Sequence, residues 1–336
     1  MSSPRPMHDA PRIEARVFVI GCPRSGTTLL QSLLAAHPKI RSFPESQFFL
    51  TFAGKPQRNR RMYGEHPRTL SGRVRFAVTE ILLRLGIAPR RGKLAPAFLA
   101  SVASADVSSL TASRLLSRRT GAFVGLLDAA TLERGATLWV EKSPLHHGYI
   151  DVIERLIPTA KFIHLSRNGP DVVASLRGAA LQYPDRKPWS SFADLDRCIG
   201  AWLAASGNAS EHAGRPNHHI VEYENLTAEP EATLMAVCDF IGVSYDPAML
   251  TGYGEAAPGL VGDEPWKEGV KDPIRSVPSK FERLLSPEEQ AYVRERVSAL
   301  RIEPSRQPIG PRSAFETTAR PGRFSKRAPP SNSSRP

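Results

Sequence analysis

From Arg16 the chain reads RVFVIGCPRSGTTLLQSLLAAHP: an apolar run with β-branched residues, a turn containing Gly and Ser, then Leu29, Leu30, Leu33 and Leu34 at helical spacing. The pattern predicts strand, loop and helix. Pro38 ends that helix, and a short strand at Ile40 to Phe43 runs into Pro44 and Glu45. Further buried strands are predicted in TLWVEKSP, AKFIHLSRN and HHIVEYENL. Helices are expected at Ile150 to Leu156, in PDVVASLRG and from about Pro230 to Ile241. In PDVVASLRG, Pro170 suits a first turn and Asp171 complements the positive helix start. Residues 55–135 alternate basic stretches with amphipathic segments such as RVRFAVTEILLRLG, which reads as a mostly helical insert. Buried strands alternating with helices imply an α/β fold, a parallel sheet covered by helices on both faces.

Composition narrows this picture. With 336 residues, 41% of them apolar, the chain can bury one large core. The expected organisation is a flexible start at 1–15, one catalytic domain at 16–300 that includes the insert, and a tail at 301–336. That tail holds eight Arg or Lys against Glu303 and Glu316, half of the formal +12, among many Pro and Ser. Such a segment cannot repay the entropy of ordering, so a disordered, solvated tail is expected, with no dedicated nucleic-acid binding. No run approaches the ~18 apolar residues of a membrane helix, and the first residues lack a leader-like apolar segment, so the expectation is cytoplasmic. Cys22, Cys198 and Cys238 are too scattered for a disulfide framework or a metal site and read as reduced thiols.

Gly21, Gly26 and Thr28 match the phosphate-loop spacing G-x-x-x-x-G-K-[ST], except that Thr27 stands where lysine should be. The glycines still let backbone N–H groups turn inward on a phosphate at a helix start. Without lysine the loop suits a nucleoside triphosphate poorly, while Arg24 supplies a guanidinium from inside it. The plain alternative, an ordinary strand-to-helix turn, does not account for two glycines at this spacing with two hydroxyls and an Arg.

PRSGTTLL resembles the 5′-phosphosulfate loop of the sulfotransferases that use 3′-phosphoadenosine 5′-phosphosulfate (PAPS). LSRNGPDVVAS resembles their second signature, which implies that Arg167 and Ser175 hold the 3′-phosphate. YENLTAEPEATLMAVCDFIG resembles a third stretch and implies that Tyr223 lies near the adenosine. WVEKSPLH and SFPESQF resemble motifs of bacterial and protein-tyrosine members, the latter carrying an acidic base. The likeness spans about residues 16–300, with gaps in the insert. It implies PAPS as cosubstrate, in-line transfer and no metal.

The residues supply what such a transfer needs. Loop N–H groups, Arg24 and the hydroxyls of Ser25, Thr27 and Thr28 are candidates to stabilise charge on the leaving phosphate. Lys142, at the end of its strand, is a candidate contact to the transferring group, and a surface lysine is the competing reading. Glu45, beside Phe43, Phe48 and Phe49, is the candidate general base, against a helix-capping role. His146, His147 and His164 are the rival bases, with His146 the best placed in the motif. Glu141 reads as a strand-end partner for a basic group. Two other classes compete: a P-loop kinase or NTPase, and a nucleotide-binding protein without catalysis. The acceptor, whether carbohydrate, lipid, small molecule or peptidyl tyrosine, would be chosen by the insert and by loops at 177–200 and 252–280.

Overall fold

Alternation along the first strand sets the two layers of the molecule. In β1 (Ala15–Gly21), Val17 and Val19 point to one face and Phe18 and Ile20 to the other, and all four are fully buried. A strand buried on both faces must be central. The computed structural model, which describes residues 12–54, 69–88, 92–102, 107–186, 189–261, 272–274 and 279–298, places β1 in the middle of a five-stranded sheet. The order is β2-β3-β1-β4-β5, with β2 at Ile40–Phe43, β3 at Leu138–Lys142, β4 at Ala160–Ser166 and β5 at His218–Glu222. Every pairing is parallel, and Val17 stands opposite both Val140 and Lys161.

The Val17 face is covered by α1 (Thr27–Ala35) and a later helix, Pro230–Ile241, through Leu30, Leu33, Leu34, Leu234 and Val237. The Phe18 face is an aromatic block. Phe18 meets Trp139 edge-on at 5.4 Å and stacks with Phe162 at 5.8 Å. Phe48 of α2 (Phe48–Phe52) stacks with Phe123 at 4.3 Å. The described parts of 55–135 contain α3 (Leu70–Arg84), α4 (Pro96–Ser101) and α5 (Leu116–Leu132). Phe123 belongs to α5, so that helix is part of the main core layer.

After β3 come a 3-10 turn, Pro144–Tyr149, and α6 (Ile150–Leu156). After β4, α7 (Gly169–Gln182) packs with α8 (Leu195–His212) around Val172, Val173, Leu176, Cys198 and Trp202. Beyond β5 lie α9 (Tyr223–Ala228) and Pro230–Ile241, which is α10. A helix at Pro287–Ser298, α11, closes the described part through Val293 and Val297. All three cysteines are buried and unpaired. No helix among the described residues is long and apolar enough to cross a membrane. The readings made for residues 1–11, for 55–68 and for the tail at 301–336 lie outside the described residues.

Candidate functional site

Chain order and strand order part company at β1, since the chain visits β2 and β3 on one side and then β4 and β5 on the other. In open parallel sheets a crevice forms at the carboxyl end of such a strand. The loop Cys22 to Gly26 sits there. Arg24 holds a left-handed φ of 73°, and Gly26, the residue before α1, a φ of 101°. Gly26 is required twice over, because a Cβ there would lie 2.4 Å from the Tyr223 ring. The Ser25 hydroxyl is buried and donates to Cys22 O at 2.7 Å. Ser25 therefore shapes the loop from within. Thr27 is buried at the start of α1, and Thr28 Oγ1 accepts from Lys142 Nζ at 3.3 Å.

One side of the loop is lined by cations drawn from three distant segments. Arg24 Nε donates to Ser175 Oγ of α7 at 3.3 Å, with its guanidinium 5.8 Å from the Trp189 ring. Arg167, just past β4, stacks over Tyr223 at 4.1 Å and directs Nη1 to Arg24 O at 3.5 Å. Its carbonyl is fixed by Trp202 Nε1 at 2.9 Å. Arg167 Nε is buried with no hydrogen-bond partner among the described residues. A buried guanidinium N–H without an acceptor fits an anionic ligand. Lys280 joins this group: burial lowers its pKa, and the charges of Arg24, Arg167 and Arg283 lower it further. Asp171 holds it there, accepting from Ser279 Oγ at 2.7 Å and from Lys280 N at 3.1 Å. Sequence reading missed Lys280. Its tie to Asp171 spans 109 residues, and no spacing rule reaches that far.

The other side is built on β2 and β3. Lys142 is fully buried at the end of β3, so the surface-lysine reading falls. Its Nζ lies between Thr28 Oγ1 of the loop and Glu45 Oε1, with which it forms a short ion pair. Glu45 keeps about a fifth of its side chain exposed, and Oε2 accepts from Gln47 Nε2 at 2.9 Å. The cap position of α2 falls at Gln47, two residues beyond Glu45, so Glu45 is not the capping residue. The apolar surroundings expected for Glu45 are thus corrected in one respect: its nearest described neighbour is an ammonium.

Beneath this pair lies a buried lock. Glu141 Oε1 accepts from Ser46 N at 3.2 Å, Ser46 Oγ at 2.7 Å and Ser143 Oγ at 2.5 Å, and Oε2 faces His146 Nδ1 at 3.1 Å. Burial pushes the Glu141 carboxyl up, but His146, Ser143 and Ser46 together hold its pKa below the ordinary value. Phe49 N–H points at His146 Nε2 at 3.3 Å, which assigns the ring proton to Nδ1, toward Glu141. Both nitrogens of His146 are engaged and the ring is fully buried. His147 is buried against Asn208 and His164 against His218, each at 2.8 Å. The rival histidines are thus all buried and bonded to neighbouring side chains.

A phosphate loop at the reversal point of a parallel sheet, with cations on one side and a Lys–Glu pair on the other, defines a P-loop-type α/β protein with a crevice whose chemistry suits an anionic ligand. Residues 16–247 match the model of the Sulfotransferase family, and the chain belongs to that family. Among curated proteins it is similar to the nodulation protein NoeE of Sinorhizobium fredii, 27% identical over 245 residues, covering 69% of this chain and 50% of NoeE. It is also similar to the protein-tyrosine sulfotransferase A of Caenorhabditis elegans, at 24% identity over 70% of this chain and 51% of that protein. The match thus spans about half the length of these two relatives. The sulfotransferase domain of the Synechococcus PCC 7002 olefin synthase has the same fold, with a TM-score of 0.50 at 21% identity over 88% of this chain and 98% of that domain.

Proposed function

We propose that this chain transfers the sulfuryl group of PAPS to an acceptor hydroxyl by direct in-line displacement. The observation that carries the reading is the division of labour around one loop. Arg167 and Lys280, with the Ser175 hydroxyl, form a set suited to a 3′-phosphate; Arg24, bonded to Ser175, reaches from the loop to charge on the leaving phosphate, and Tyr223 offers a ring for the adenosine end. Lys142 and Glu45 stand together across Thr28. In this reading the loop N–H groups, with Thr27 and Thr28, receive the 5′-phosphate, and Lys142 stabilises the oxygens of the group in transit. The acceptor oxygen bonds to sulfur as the sulfur–oxygen bond to the phosphate breaks. Its proton passes to Glu45, and the electron pair of the broken bond stays on the phosphate oxygen.

A P-loop kinase or NTPase is the weaker reading. The carboxylate at the end of β3 that would serve magnesium there is Glu141, and its oxygens are already taken by Ser46, Ser143 and His146. The acceptor is read as a hydroxyl of a carbohydrate, lipid, small molecule or peptidyl tyrosine, and the reaction is placed in the cytoplasm without a metal. Ligand-dependent melting tests the donor: adenosine 3′,5′-bisphosphate with chelator present should raise the melting temperature well above ATP with magnesium. Equal or larger stabilisation by ATP would overturn the proposal.

A further inference from the structure

Helix α3 is amphipathic the wrong way round for a surface helix. Leu70, Val74, Val78 and Ile81, with Leu85 at its C-cap, are between 47% and 78% exposed, whereas Leu83 is buried. Steps of four, four, three and four residues put these five on one side of a helix with 3.6 residues per turn, facing away from Leu83. At 100° per residue, Arg73 and Arg84 border the stripe on one flank and Arg75 on the other. The acid of the helix, Glu80, lies 3.7 Å from Arg84. An outward apolar stripe edged by arginines needs an occupant that is apolar and anionic at once.

Charge along the chain points to the same occupant. Residues 55–93 hold eleven Lys or Arg against Glu65 and Glu80, a net +9, while the sequence outside this stretch and the 301–336 tail sums to −3. A second copy of this chain, itself +12, would set like charge against like. We propose that α3 docks the protein on an anionic lipid bilayer, with Val74, Val78 and Ile81 in the acyl boundary and Arg73, Arg75 and Arg84 at the level of the lipid phosphates. The docking is separate from sulfuryl transfer and stands or falls without it.

The test is co-sedimentation of the full chain with vesicles of phosphatidylcholine alone or mixed with phosphatidylglycerol, at low and at high salt. Two variants accompany it, Val74→Ser with Val78→Ser and Ile81→Ser, and Arg73→Glu with Arg75→Glu. All five side chains are exposed, so thermal unfolding should match the parent and the fold is controlled for. The parent should bind the mixed vesicles, release them in high salt and ignore phosphatidylcholine, and each variant should bind at least about tenfold more weakly. Equal binding to both vesicle types overturns the proposal. So does undiminished binding by the stripe variant, which would assign adhesion to basic charge elsewhere. A parent that fails to bind vesicles but forms a dimer, lost in the stripe variant, would make the stripe a protein interface and also overturn it.

Discussion

Lys142 carries its charge at a fully buried position, and a buried cation persists only where an anion and hydrogen-bond acceptors meet it. Glu45 and Thr28 do so here, which links the candidate base to the phosphate loop through a single side chain. Glu45→Gln therefore has two effects. Turnover should fall by about a hundredfold or more, since the amide takes no proton at neutral pH. Bisphosphate affinity should be retained, because the phosphate bound in the loop supplies Lys142 with the counter-charge that Glu45 no longer gives. Transfer of labelled sulfate from PAPS, paired with bisphosphate titration, checks both; unchanged turnover would remove Glu45 from the mechanism. Arg167 makes a different argument, from shape. Its guanidinium carbon lies over the Tyr223 ring and its Nε is buried without a described acceptor, features a lysine does not reproduce. Arg167→Lys should weaken adenosine 3′,5′-bisphosphate by roughly tenfold or more, while leaving the analogue without the 3′-phosphate nearly unaffected. Equal weakening of both in calorimetry would show that Arg167 does not read that group.

At the scale of elements, the junction of β1, loop and α1 depends on one glycine more than on its helix. Gly26→Ala would drive a methyl into the Tyr223 ring and strain a φ of 101°, so bisphosphate binding and stability should both fall. Gly125, exposed within α5 with open space around its Cα, is the matched control, and Gly125→Ala should raise stability by about 0.5–1 kcal/mol. Chemical denaturation of the two variants checks the contrast, and a similar loss in both would refute it. Local pattern made much of this legible in advance. The strand of Ile40–Phe43 and the helix of Pro230–Ile241 have the ends the sequence predicts, because Pro and Gly mark them. Arg24 is singled out by the spacing of the loop between strand and helix, whereas Arg167 and Ser175, the latter in the second turn of α7, are singled out by resemblance alone. The lock of Ser46 and Ser143 on Glu141 was not legible. It joins the loop at Ser46 to β3, 95 residues on, and a buried carboxylate betrays neither its depth nor its partners in a linear sequence. The surroundings of His146 were hidden for the same reason, since its motif position says nothing of Phe49 N–H meeting its second nitrogen.

Across the whole molecule, histidines hold the layers together on the side of β4 and β5. His164 Nε2 meets His218 Nδ1 at 2.8 Å, His218 Nε2 reaches Glu154 Oε1 of α6 at 3.0 Å, and Asn208 of α8 contacts both His147 and His212. Burial comes first among the causes that keep these rings neutral. It pushes His147 down to about 4 with help from His146, lowers His164 well below its ordinary value with help from His218 and His212, and lowers His218 despite Glu154. Because folding depresses these values, the unfolded chain takes up protons before the folded one does as pH falls. Stability should be fully present above the unfolded value of 6.5 and should decline through the window down to about 4. His147 should contribute on the order of 3 kcal/mol to that decline, with His164 and His218 adding in the same direction. Urea unfolding between about pH 7 and pH 4 is the measurement. A midpoint that stays level across this range would mean that the cluster takes up protons in the folded state, and that these rings are far less enclosed in solution than their packing between β4, β5, α6 and α8 implies.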